Sequence, residues 1–201
     1  MRLRKAPWCV LVVAALFAGA GLAASSAVAA QAQQFSADII TRHDDVPAPA
    51  GRLSVLDGKV RIEATEHQDG FFLVDTMKPS AYFMRPGAGL YMEARQSSRL
   101  TRLFVPVAPD APCRQWQAMA RLAGVASEGE WRCERTGEET IDGHSTAMFR
   151  ALSADGQEFF GWIDRERQFP LQIRTEDGVV FKLERIKDEP QPESSFELPA
   201  G

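Results

Sequence analysis

The sequence predicts a mainly β (α+β) protein. Its expected form is a curved antiparallel sheet closing into an incomplete half-barrel, with a small helical insertion packed in the concavity. Three observations carry this expectation. Apolar and polar residues alternate with period two in about ten or eleven short stretches. Most of these are joined by tight turns rich in Asp-Gly, Gly or Pro, so they read as sequence-adjacent hairpins. One stretch, Arg114 to Val125, has a helical period instead. A sheet with so many twisted strands must curl, and one helix fits inside the curl.

The chain has 201 residues, enough for a domain with its own core. Residues 1–30 read as a separate segment. Arg2, Arg4 and Lys5 form a basic start, Val10 to Leu22 an apolar run, and Val28-Ala29-Ala30 a small-residue site suited to cleavage before Gln31. This is the pattern of a secretory signal peptide. The competing reading, a membrane anchor, fits less well because the apolar run is short and no stop-transfer charges follow it. Cys9 lies far from the cleavage site, so a lipid-bearing first cysteine is not expected. Residues 31–201 are therefore expected to form a single domain exported through the inner membrane to the periplasm, and not spanning the membrane after cleavage.

Of the Lys+Arg 23 and Asp+Glu 27, residues 1–30 hold three positive charges and no negative one, leaving a net charge of about −7. That balance argues against nucleic acid and anionic membrane surfaces as partners, because both call for basic patches. It leaves a neutral, hydrophobic ligand open. Cys113 and Cys133 remain after export. An even pair in an oxidising compartment reads as one disulfide, the alternative being two buried free thiols.

Taken in order, Phe35 to Arg42 is the first strand, with Phe35, Ala37 and Ile39 alternating with Ser36 and Asp38. Val46-Pro47-Ala48-Pro49-Ala50-Gly51 is expected to be a loop, since nearby prolines leave gaps in a ladder. Leu53 and Val55 lead into the Asp57-Gly58 turn, and Val60, Ile62 and Ala64 return. Phe71 to Thr76 and Ala81 to Met84 are apolar on both faces. They predict a sheet centre covered on both sides, or a cavity floor. Leu90, Met92 and Ala94 share a face of the next strand.

Ser97 to Ala111 leads toward Pro112 through Pro106 and Pro109, and reads mostly as loop with room for one helical turn. In the helix that follows, Trp116, Met119, Ala120 and Ala123 fall on one face and Gly124 ends it. Strands resume with Trp131 to Thr140, Thr146 to Leu152, and the aromatic Glu158 to Asp164. The last hairpin is the clearest. Leu171, Ile173 and Thr175 oppose Gln172, Arg174 and Glu176, and alternation resumes at Val179 after Glu176-Asp177-Gly178. An acidic connector from Lys187 to Pro192 precedes Phe196 and Leu198, which dock back.

Several short stretches are similar to a known family. They are Phe35-Ser36-Ala37-Asp38, Gly58-Lys59-Val60-Arg61-Ile62-Glu63, Asp75 through Met92, Pro170-Leu171-Gln172-Ile173, and the tail Phe196-Glu197-Leu198-Pro199-Ala200-Gly201. In this order and spacing the chain resembles the outer-membrane lipoprotein carrier superfamily, the LolA/LolB-like proteins, and more particularly their uncharacterised exported members. The resemblance implies an incomplete antiparallel barrel with a hydrophobic concave face, a helical lid, and uptake of acyl chains. The chain departs from it in leaving only a few residues between Gln31 and Phe35, too few for a helix before the first strand. No lipoprotein-binding position carries over by motif.

No constellation for catalysis or a cofactor emerges, and no enzyme activity or cofactor is expected. His43, His67 and His144 sit separately at turns, without metal-ligand spacing. There is no Gly-x-Ser-x-Gly and no phosphate loop. The carboxylates Glu138, Glu139 and Asp142, and Asp188, Glu189 and Glu193, lie in polar turn or tail segments and read as solvated. The candidate ligand-binding set is apolar: Met92, Trp116, Met119, Phe149, Phe159 and Phe181, from the inward sets of several strands and the helix. Core packing competes with that reading at each position. The expectation is a hydrophobic-ligand binder, for a lipid or acyl chain. The alternative is an envelope interaction or sensor module with a filled core and a protein partner. A hydrolase is the weakest of the three.

Overall fold

A computed structural model describes residues 33–94, 98–125 and 129–198. The segment read as a signal peptide lies outside the described residues, as do Pro199, Ala200 and Gly201 of the matched tail. Among the described residues, eleven strands form one antiparallel, curved sheet that does not close into a barrel. They are β1 (Gln34–His43), β2 (Val46–Leu56), β3 (Lys59–Ala64), β4 (Phe71–Asp75), β5 (Ser80–Arg85), β6 (Leu90–Glu93), β7 (Arg132–Ile141), β8 (His144–Leu152), β9 (Glu158–Asp164), β10 (Phe169–Thr175) and β11 (Val180–Lys187). The helical insertion is α1 (Leu100–Leu103) and α2 (Pro112–Leu122).

The strand order is β6-β5-β4-β3-β2-β1-β11-β10-β9-β8-β7. Two meanders, β1–β6 and β7–β11, thus meet where β1 pairs with β11. This places β6 and β7, consecutive in the chain, at opposite edges of the sheet. The link between them has to span the sheet, and it carries α1 and α2. The topology therefore puts the one helical insertion across the concave face.

The Asp-Gly signals act as expected. Asp57 and Gly58 have φ 44° and 89°, and Asp142 and Gly143 have φ 49° and 86°. Two consecutive positive φ values match the right-handed twist of the flanking strands. Asp44 and Asp45 do the same at φ 49° and 62°, without a glycine. They join β1 to β2, so the expected loop over 46–51 is instead strand. Pro47 and Pro49 are tolerated there because this half of β2 pairs only with β1; pairing with β3 begins at Gly51. Proline is compatible with a strand that has a free side.

The double-faced apolarity of β4 and β5 is real. Phe72 and Val74 enter the large core beneath the helices, while Phe71 and Leu73 enter a second cluster on the other face. Leu56, Met84 and Phe196 complete that cluster, and Phe196 arrives from the 3-10 turn Glu193–Phe196 of the tail. Arg61 stacks 3.6 Å above the Phe71 ring and donates to the Ser195 carbonyl at 3.4 Å. The tail is fixed further by Ser36 Oγ donating to Glu189 at 2.7 Å and by the Gln191 amide donating to Gln34 at 3.0 Å.

Helix α2 begins with Pro112, whose missing N–H costs nothing in the first turn. It buries Trp116, Met119 and Ala120. Gly124 at φ 69° closes it, with the Val125 N–H bonded to the Ala120 carbonyl at 3.0 Å. Cys113 and Cys133 form a disulfide, with Cα atoms 5.6 Å apart, that fastens the start of α2 to β7.

Candidate ligand-binding cleft

The segment before α2 contributes more than a loop. Leu100, Leu103, Phe104, Val105 and Val107 are all buried against the concave face. The Val107 amide donates to the Gln168 carbonyl at 2.9 Å, which ties the segment to the β9–β10 turn. Helix α1 ends with carbonyls that have no partner within the helix, as every helix does. The Trp116 indole N–H donates to one of them, Leu103 O, at 3.1 Å. That bond joins α1 to α2 and sets the indole plane.

Trp116 rests on β9 at Gly161. A Cβ at position 161 would lie 2.6 Å from the indole Cη2, so only glycine lets the ring come this close. Phe159, two residues earlier on the same face, meets Trp116 edge-on at 4.9 Å and Trp131 at 6.0 Å between ring centroids.

Above these rings lies a cleft of about 350 Å³ between α1, α2, β9 and the β10–β11 turn. Leu103, Trp116, Ala120, Trp131 and Phe159 supply its apolar wall. Arg99, Arg102, Glu158, Glu176 and Asp177 supply its charges. A second cleft of about 580 Å³ is lined by Leu100, Ala50, Val179 and Phe181, and shares Arg99 and Arg102 with the first. The two arginines thus line both clefts.

The charges are not equivalent. Arg99 and Asp177 form an ion pair at 2.8 Å. Hydrogen bonds from Thr175 first, and then Arg99, hold the Asp177 carboxyl at a pKa of about 2. Glu158 pairs with Arg150 outside the cleft. Arg102 is half-buried, its Nε has no acceptor, and no ion pair reaches it among the described residues. Burial, with Arg99 beside it, lowers the Arg102 pKa. The Trp131 indole N–H also lacks an acceptor among the described residues.

Among the residues singled out from sequence, Trp116 and Phe159 line the first cleft and Phe181 the second. Met119 and Phe149 belong to the core, at 1% and 5% exposure. Met92 is 56% exposed on edge strand β6, and lines neither cleft. Arg99, Arg102, Leu103 and Trp131 line the first cleft without belonging to the sequence-based set. For Arg102 and Leu103 the local signal is the density of apolar residues from Leu100 to Val107, which the neighbouring prolines mask.

The histidines stay apart. His67 packs on Phe72 and Phe83, and His144 Nδ1 lies 3.0 Å from Arg167 and 3.7 Å from Asp164. Glu138 pairs with Arg135 and Arg165, while Glu139 accepts from Trp162 at 2.7 Å. Among the described residues, no three His, Cys, Asp or Glu side chains gather as a metal site. No described helix is long and apolar enough to cross a membrane.

No family model matches the chain, and no curated protein matches it. Solved structures of similar shape include PNGF-II, at TM-score 0.48 and 8% identity over 83% of this chain. This chain spans only 30% of that protein's length. An uncharacterized conserved protein from Thermus thermophilus is similar at TM-score 0.46 and 11% identity, covering 83% of this chain and 85% of the other. A LolA superfamily protein from Nitrosomonas europaea is similar at TM-score 0.35 and 13% identity, covering 84% and 90%. At this level of likeness no role passes from those proteins to this one.

Proposed function

We propose that the chain is an exported, periplasmic, non-enzymatic protein of one domain that binds a hydrophobic ligand, a lipid or acyl chain, in the cleft under α1 and α2. One observation carries the reading. Over the core that fills much of the sheet's concave face, Trp116, Phe159, Trp131 and Leu103 wall a cleft of about 350 Å³. That volume falls in the range of small-ligand sites, about 300–1,000 Å³. Affinity would come mainly from removing apolar surface from water.

Native mass spectrometry of the protein purified from the cells that make it, with lipid extraction of the same sample, tests this. The expected result is a stoichiometric lipid adduct, lost in Thr175→Trp, which fills the rim without cutting into the core. The same spectrum reads the mature start, expected at Gln31. A clean apo mass with no uptake of offered lipids would sink the proposal.

A second reading rests on a different place. Among the described residues, edge strand β6 pairs only with β5 and leaves Leu90, Tyr91 and Met92 at 57%, 45% and 56% exposure. An exposed apolar edge is a template for strand addition by a protein partner. Apo protein combined with cross-linking through position 91 would favour that role.

A further inference from the structure

The ligand proposed above has a polar end, and the cleft holds an unmatched charge that would meet it. We infer that the cleft selects an amphiphile with an anionic head, a long-chain carboxylate or phosphate, and that Arg102 recognises the head while the chain lies on Trp116 and Phe159. This rests on the preceding reading of the cleft and adds the chemical class of the ligand.

Of the five charges lining the cleft, Arg99, Asp177 and Glu158 are paired, and Arg102 and Glu176 have no ion pair among the described residues. Arg99 is neutralised by Asp177 at 2.8 Å, and Glu158 by Arg150. Glu176 is exposed at the rim. Arg102 alone is both half-buried and without a carboxylate among the described residues, and a second arginine lies beside it. A cation drawn out of water needs a counter-charge, and here the protein does not provide one. Guanidinium is also the side chain suited to two-point binding of carboxylate or phosphate.

Unmet donors concentrate at the same place. Three buried side-chain nitrogens lack an acceptor among the described residues: Arg102 Nε, Trp131 Nε1 and Gln115 Nε2. Two of these three residues line the cleft. An acceptor-only head complements the Arg102 guanidinium where that residue lines the cleft; an ammonium head does not. Arg102 also lines both clefts, so a head held there leaves the first open to one chain and the second, with Phe181 and Leu100, to another.

The test compares binding of palmitate, hexadecanol and inorganic phosphate by calorimetry to the whole mature chain, to Arg102→Met and to Arg102→Lys. Thermal unfolding confirms that each variant folds. The expected result is palmitate bound about tenfold or more tighter than hexadecanol. That preference should vanish in Arg102→Met, which keeps the hexadecanol affinity, and return in part in Arg102→Lys. Equal affinity for acid and alcohol, or a preference that survives Arg102→Met, overturns the inference and leaves an apolar cleft. Phosphate that binds alone without displacing palmitate also overturns it, because head and anion would then occupy different places. No uptake of either palmitate or hexadecanol overturns the cleft reading and this inference together.

Discussion

At the scale of single residues, Gly161 decides how the helical insertion meets the sheet. The indole of Trp116 occupies the space a Cβ would take, 2.6 Å from Cη2 and 3.1 Å from Cζ2. The ring cannot retreat freely, because its N–H is held by Leu103 O. Gly161→Ala should therefore cost about 1–3 kcal/mol, the usual range for overpacking a fitted core. Urea unfolding followed by tryptophan fluorescence measures it; an unchanged midpoint would show that α2 rides loosely on β9. In the sequence, Gly161 sits within an aromatic strand, and its flanking residues explain why that strand is buried. What requires a glycine is a ring forty-five residues away, and no local pattern carries that. Arg102 is alike in this respect. Its charge is visible in the chain, but its lack of a partner depends on Asp177 being taken by Arg99.

At the scale of elements, α2 is legible in the sequence because a 3.6-residue period needs only neighbours on one helix. Its close at Gly124 is legible for the same reason. The Cys113–Cys133 bridge agrees with the expected pairing. Closing a loop of about twenty-one residues stabilises by about 3 kcal/mol on chain-entropy grounds. Replacing both cysteines with serine should lower the unfolding free energy by about that amount in a denaturant titration; no loss would mean that packing alone holds α2 in place. One element runs against the sequence expectation. The proline-bearing half of β2 is strand where composition points to loop, because its free side and its Asp44-Asp45 turn are properties of pairing. Helix α1 is the one helical turn for which the sequence leaves room, and the segment after it is buried because its apolar run contacts the sheet.

At the scale of the whole molecule, the insertion packs on the concave side of the sheet and the tail covers part of the other face, over β2, β4 and β5. Phe196 is 2% exposed and closes the second cluster over Leu56, Phe71, Leu73 and Met84. Phe196→Ala should destabilise by about 3–5 kcal/mol while leaving palmitate affinity unchanged, since the cleft is on the opposite face. Calorimetric melting and the binding assay read the two effects separately; a large loss of affinity would show that the faces are coupled. The cysteine pairing is read from their being an even pair expected in an oxidising compartment. Local pattern suffices for the hairpins, the main helix and the curl of a many-stranded sheet, because alternation and turn chemistry act between neighbours. It does not suffice for the meeting of β1 with β11, for β6 and β7 at opposite edges, or for the connecting chain that consequently spans the concave face. Those follow from long-range pairing. The cleft and its unmatched arginine arise from that placement, where side chains distant in sequence compete for the same space and the same charge.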